Sequence, residues 1–170
     1  MANLTIDIGN TRTKLGVFEG QNLLETLVVE QLDLSSLKTW STNHSIQKVI
    51  YSTVVGIEPI LKTYLEQYFF CIALTESTPL PFENKYETPS TLGKDRLAAV
   101  AGAQTWSEGQ TCLIIDAGTC ITYDYLQMGR VYLGGNIAPG LAMRMKAMHH
   151  FTKALPLVEI VSIEKKIGSS

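Results

Sequence analysis

The chain lacks most of the features that would place it in the commoner binding and structural classes. Cysteine is scarce and odd in number: Cys71, Cys112 and Cys120 show no CxxC spacing, and each sits in or beside an apolar run. Buried, reduced thiols are therefore expected. Of the three histidines, His44 is isolated and His149 and His150 are adjacent, so none has the i, i+4 spacing of a helical metal pair. Surface or helix-end roles are expected for them. Charge of either sign is not in excess, since 14 basic residues meet 16 acidic ones for a net charge of −2. No basic field is available to hold nucleic acid. No apolar run approaches the roughly 18 residues of a membrane span. The opening MANLTIDIGN has no charged leader region and carries Asp7 inside its apolar stretch, so it reads as a strand rather than a signal peptide. A cytoplasmic protein with neither nucleic-acid nor membrane partners is the expectation. The six prolines and 13 glycines are scattered, so there is no low-complexity tract. Two common phosphate motifs are also missing, GxxxxGK[ST] and GxGxxG after a strand.

What is present is an ordinary globular composition, 45% hydrophobic and 18% charged, on a chain long enough to bury a real core. Leu4–Ile8, Lys14–Phe18 and Leu23–Val29 are short β-rich runs separated by turn signals, the pattern of an antiparallel meander. Ser35–His44 reads as a helix capped by Ser35 or Ser36, Val49–Val55 as a strand, Ile57–Tyr68 as a helix with Pro59 in its first turn, and Phe69–Leu74 as a β-rich run. Thr75–Thr91 holds Pro79, Pro81 and Pro89 and reads as a long loop of the kind that carries function. Arg96–Trp106 is an Ala-rich helix with small residues on most sides, expected to be buried. Thr111–Asp116, Cys120–Leu126 and Val131–Ile137 form a second strand series, followed by a helix over Pro139–Phe151.

The sequence also echoes itself. LTIDIGNTRTKLGVF, from Leu4, aligns with LIIDAGTCITYDYL, from Leu113, when one residue is skipped, and the copies start 109 residues apart. Both spell strand, Asp-x-Gly, Thr, strand, which implies two related lobes facing each other. In such a turn the glycine permits φ > 0 and a close backbone approach. The turn N–H groups and the threonine hydroxyl offer an anion nest. The Asp7 carboxylate is a hard oxygen ligand suited to Mg2+ on a nucleotide, and Lys14 on the returning strand adds a point charge. The alternative for one copy alone is a hairpin whose Asp and Asn merely favour the turn.

LGKDRLAAVAGA, from Leu92, sets Asp95 and Arg96 at the start of the Ala-rich helix. There the helix dipole favours an ionised Asp95, able to orient a hydroxyl and take its proton late in phosphoryl transfer. Arg96 offers a planar fork for a carboxylate or phosphate. The alternative is an acidic first turn followed by a solvated arginine.

Taken in order, Asp7-Ile8-Gly9-Asn10-Thr11, Tyr86 with Gly93-Lys94-Asp95-Arg96, Asp116-Ala117-Gly118-Thr119, Gly134-Gly135-Asn136-Ile137-Ala138-Pro139-Gly140 and Thr152–Pro156 resemble type III pantothenate kinase. That family belongs to the acetate and sugar kinase, Hsp70 and actin superfamily. The resemblance implies an α/β protein of the ribonuclease H-like, actin-like ATPase fold. Residues 1–110 would form the first lobe, and residues 111–170 the first part of a second lobe whose remainder is absent. It implies that ATP phosphorylates pantothenate to 4′-phosphopantothenate, the first step towards coenzyme A. Asp7, Ile8, Gly9, Asn10, Thr11, Arg12, Thr13 and Lys14 would form the ATP and Mg2+ loop, with Thr119 also on ATP. Asp95 would be the proton acceptor, and Tyr86, Gly93, Lys94, Asp95 and Arg96 would bind pantothenate. Asp116 would hold a monovalent cation, K+ or NH4+. The family is homodimeric, and a non-catalytic nucleotide-binding regulator similar to the Bvg accessory factor is the alternative function. The Gly134–Gly140 stretch either shapes the cleft or serves as a strand-to-helix turn. The chain ends at Ile167-Gly168-Ser169-Ser170, where members of the family continue. Met143, Met145 and Met148 are expected to form a packing or dimer face, Trp40 and Trp106 to anchor the core, and Lys165-Lys166 to be solvated.

Overall fold

The computed structural model describes residues 2–158. It begins with three strands, β1 (Ala2–Ile8), β2 (Thr13–Glu19) and β3 (Asn22–Val29). Alternation sets the buried face, with Leu4 and Ile6 on β1 facing the same core as Leu15 and Val17 on β2. Helix α1 (Leu34–Asn43), strand β4 (Ile46–Thr53), helix α2 (Pro59–Tyr68) and strand β5 (Phe70–Ala73) follow. The five strands form one sheet ordered β3-β2-β1-β4-β5. β1, β2 and β3 pair antiparallel, whereas β4 joins β1, and β5 joins β4, in parallel. That order and those directions are the ribonuclease H-like arrangement expected from the sequence. Leu37 and Trp40 of α1 and Leu61 and Leu65 of α2 complete the core.

The α1 cap is Asp33, not Ser35 or Ser36. Its Oδ1 accepts the Ser36 backbone N–H at 2.9 Å and its Oδ2 accepts the Ser36 hydroxyl at 2.6 Å. At the other end of α1, His44 is the helix-end residue expected. One ring nitrogen lies 2.8 Å from the Trp40 carbonyl oxygen and the other 2.7 Å from Glu25 on β3. The Trp40 carbonyl and then the Glu25 carboxylate favour the protonated ring, and they raise the His44 pKa above its ordinary value. A raised folded-state pKa contributes stability that is fully present below the unfolded value of about 6.5 and is lost as pH rises through the folded value. The urea midpoint of the wild type should therefore exceed that of His44→Gln by more at pH 6 than at pH 8. An equal gap at both would remove the linkage.

The second half builds another sheet. Strand β6 (Glu83–Asn84), a 3-10 turn (Pro89–Thr91), helix α3 (Lys94–Trp106), strands β7 (Cys112–Ala117), β8 (Cys120–Gln127) and β9 (Val131–Pro139), and helix α4 (Leu141–Phe151) follow in order. The sheet runs β6-β9-β8-β7. β7–β8–β9 is an antiparallel meander, as β1–β2–β3 is, and this is the structural form of the internal echo. Phe82, Leu92, Leu97, Val100, Leu126 and Tyr132 form its core. The molecule is thus mixed α/β with two sheets, and α3 packs against β4 of the first as well as β7 and β8 of the second.

Several expectations need correction. The Thr75–Thr91 segment is not wholly loop, because β6 adds in parallel to β9 and the 3-10 turn leads into α3. Helix α3 buries only Arg96, Leu97 and Val100, so it is a one-sided helix. Trp106 at its end is 84% exposed and anchors no core among the described residues, whereas Trp40 is buried. The three cysteines are free, as expected, but half-buried rather than buried. Helix α4 buries no residue among the described ones and Met143 and Met148 are exposed, so of the two faces expected there no packing face forms among the described residues and a dimer face is left open. Lys165-Lys166 and the terminal Ile167–Ser170 lie outside the described residues.

Candidate active site

The two Asp-x-Gly turns meet. The Thr11 hydroxyl, in the β1–β2 turn, lies 3.0 Å from the Thr119 hydroxyl in the β7–β8 turn. Residues 108 apart in sequence thus close onto one place, with Asp7 one residue before the end of β1 and Asp116 one residue before the end of β7. In the first turn the Gly9 N–H donates to the Arg12 carbonyl at 3.1 Å, and in the second the Gly118 N–H donates to the Cys120 carbonyl at 2.8 Å. Neither Gly9 nor Gly118 has positive φ, so the sequence argument for left-handed glycine fails at both. A Cβ on Gly9 would come within 3.1 Å of the Arg12 carbonyl oxygen, so the turn would have to yield by a few tenths of an ångström to admit it. The glycine at the head of α4 is more tightly constrained. A Cβ on Gly140 would be driven into the Gly118 and Thr119 carbonyl oxygens. The Gly140 N–H donates to Thr119 O at 3.0 Å, so α4 starts directly against the second turn and presents its electropositive end there.

Asp7 is half-buried, and its Oδ1 accepts the Ser52 hydroxyl of β4 at 2.7 Å. It stands opposite Lys14 across the β1–β2 ladder, with Lys14 exposed. Asp116 is exposed and lies opposite the buried Thr122, and its carboxylate makes no hydrogen bond to a described residue. No cluster of three or more metal-binding side chains occurs among the described residues. Asn10, Thr11 and Arg12 are exposed at the turn, whereas Thr13 is buried.

At the start of α3, Gly93 occupies the cap position without a side-chain cap bond, so of the first-turn N–H groups only that of Arg96 is met by a side chain. Asp95 is half-buried, and its Oδ1 accepts the Arg96 N–H at 2.9 Å. Lys94 is tied back: its ammonium donates to Leu92 O at 3.2 Å and pairs with Glu76 at 3.3 Å. Arg96 is not solvated. Its Nε reaches both Asp124 oxygens, at 3.0 and 3.2 Å, and its Nη2 reaches Oδ1 at 2.6 Å. Asp124 is fully buried, and its Oδ1 also accepts the Tyr132 hydroxyl at 2.6 Å. Tyr86 stacks parallel to Tyr132 with ring centres 6.3 Å apart and lies over the Arg96 guanidinium at 5.7 Å. Burial pulls the Arg96 pKa down, but the hydrogen bonds and charge of Asp124 outweigh it, and the net direction is upward. Burial first, and then the bond to Asp124, push the Tyr132 phenol well above its ordinary range, so it remains a donor.

The sequence reading missed Asp124 and Tyr132. A signal existed: Thr122, Asp124 and Leu126 share one face of an alternating strand, and a carboxylate level with a core leucine needs a buried partner. Gly135 carries the close packing around them, because a Cβ there would collide with the Tyr123 carbonyl oxygen and sit 2.8 Å from Asp124 Oδ1. Gly134, at φ +109, leaves the place that Tyr86 occupies.

Comparison with known proteins agrees with this geometry. Residues 3–170 match the family described as type III pantothenate kinase. The chain is 45% identical to the type III pantothenate kinase of Christiangramia forsetii, over 99% of its own length and 70% of the relative. It is 43% identical to that of Bacteroides fragilis, over 92% of its length and 65% of the relative. The chain belongs to the type III pantothenate kinase family. It spans about two thirds of the length of the curated relatives it matches. Among solved structures, an exopolyphosphatase from Cytophaga hutchinsonii superposes with a TM-score of 0.50 over 92% of this chain and 56% of that one. At 11% identity this shows a shared fold and nothing more. This pantothenate kinase family chain therefore joins a kinase relationship in sequence to a structure whose two Asp-x-Gly turns touch through Thr11 and Thr119. Among its described residues, no helix is long and apolar enough to cross a membrane.

Proposed function

We propose that the protein transfers the γ-phosphoryl group of ATP to the primary hydroxyl of pantothenate, giving ADP and 4′-phosphopantothenate, the first step towards coenzyme A. The observation that carries this reading is the convergence of the two Asp-x-Gly turns at Thr11 and Thr119 on a chain of this kinase family. Asp7 through Lys14 hold the triphosphate from one side and Thr119 from the other. Asn10, Thr11 and Arg12 of the first turn lie outside the strand ladder, so their N–H groups are available to phosphate oxygens. Asp7 has one oxygen on Ser52 and the other free of described partners. Such a carboxylate fits Mg2+, which keeps several waters and takes one or two carboxylates along with substrate phosphates. When bound, that ion supplies neutralisation of phosphate charge. The exposed oxygens of Asp116 fit a monovalent cation, K+ or NH4+, near the same phosphates. Asp95 orients the pantothenate hydroxyl and accepts its proton late in the transfer, which depends mainly on positioning and charge. Tyr86, Gly93, Lys94 and Arg96 line the acceptor side.

The protein acts in the cytoplasm as a homodimer in this reading. The exposed apolar residues of α4, among them Leu141, Met143, Met148 and Phe151, support an apolar contact on that helix. A coupled assay of the full-length protein should show ADP release that requires pantothenate and is stimulated by K+. Nucleotide binding without pantothenate-dependent release would instead favour a non-catalytic regulator.

A further inference from the structure

The Arg96–Asp124 pair is expensive to build. Taking two charges out of water costs several kcal/mol each, and apolar residues of the same volume often serve a core as well or better. Here the pair is nearly sealed, with side-chain exposures of 9% and 0%. All three Arg96–Asp124 bonds use the Nε and Nη2 edge of the guanidinium. Nη1 donates to no described group, yet no buried polar side-chain atom among the described residues is left without a partner. Nη1 is therefore open to solvent, although the rest of the residue is buried. Two further contacts fix the plane: Tyr132 holds Asp124 from the far side, and Tyr86 covers the guanidinium face. The open edge belongs to the residue next to Asp95, at a helix start with no side-chain cap.

We propose that Asp124, braced by Tyr132, is a positioning residue that aims the free Nη1 edge of Arg96 at the carboxylate of the acceptor substrate. The inference rests on the kinase reading above and deepens it, because it assigns the acceptor's anionic end to one atom of the site. Arginine suits this role: its fork stays planar and charged, so one edge can be clamped by Asp124 while the other binds a carboxylate. A guanidinium left to rotate would lose that aim. Tyr132 and Asp124 touch no substrate themselves and act only through Arg96.

The test uses the full-length enzyme with ATP and two acceptors: pantothenate, and an analogue whose carboxylate is replaced by a hydroxymethyl group. Tyr132→Phe removes one hydrogen bond to Asp124 and little volume. It should raise the pantothenate KM about 3–10-fold, as loss of a net contribution near 1 kcal/mol implies. The KM for ATP, kcat, and the KM for the neutral acceptor should stay within about twofold. Arg96→Lys should raise the pantothenate KM about 100-fold and erase the wild type's preference for the charged acceptor, since an ammonium cannot serve two carboxylates with one fork. Asp124→Asn should behave like Arg96→Lys if it folds, and Tyr132→Phe decides the matter if it does not. A penalty of equal size on both acceptors, or a loss confined to kcat, would overturn the proposal while leaving the kinase reading intact. A wild-type enzyme with no pantothenate-dependent ADP release would overturn both.

Discussion

Asp95→Asn in the full-length protein should lower kcat at least about 100-fold, the usual scale for removing a positioned general base. The fold should barely notice. Asp95 is half-buried, and its one described bond is the acceptance of the Arg96 N–H at 2.9 Å, which an amide oxygen can also accept. The loss of charge at the positive end of α3 should cost about 0.3–1 kcal/mol. The melting temperature should accordingly fall by no more than about 4 °C. The KM for ATP should hold, because the loop proposed to bind it joins β1 to β2 rather than lying on α3. Wild-type ADP production by this variant would take Asp95 out of the mechanism.

The second large effect belongs to Gly135→Ala. The added methyl group would meet the Tyr123 carbonyl oxygen, a backbone atom of the neighbouring strand, and crowd Asp124 Oδ1 at 2.8 Å. Asp124 and Gly135 are direct partners in the β8–β9 ladder, so relief requires parting the strands. Overpacking without a way out costs about 3 kcal/mol or more, which corresponds to about 6–12 °C in melting temperature for a chain of this size. Gly102→Ala is the control. It lies in α3 with nothing within 4 Å of the added carbon, and it should stabilise the helix by about 1 kcal/mol. Similar melting temperatures for the two variants would show that β9 does not need its glycine.

The strands of both meanders were legible because alternation writes the buried face directly into the sequence, as Leu4, Ile6, Leu15 and Val17 do. The helices were legible to within a few residues, but their ends were not always. Asp33 took the cap from Ser35 and Ser36 because its carboxylate binds both the N–H and the hydroxyl of Ser36. β6 was hidden because two residues between prolines carry no period, and only β9 gives them a partner. Trp106 misled because size was taken for burial, although it ends a helix whose packed face lies elsewhere. The meeting of the turns could be seen in the echoed Asp-x-Gly. The Arg96–Asp124 clamp could not, since it joins residues 28 apart and depends on how α3 lies against β8.

The Thr11–Thr119 contact has a mechanical consequence. It is an exposed bridge between two neutral hydroxyls, and such bonds contribute only about 0.5–1.5 kcal/mol net against water. A contact this weak adds little to the packing of α3 against β4, β7 and β8, which joins the two sheets. Because either oxygen can donate or accept, both threonines can turn to an arriving anion without leaving a bond unmade.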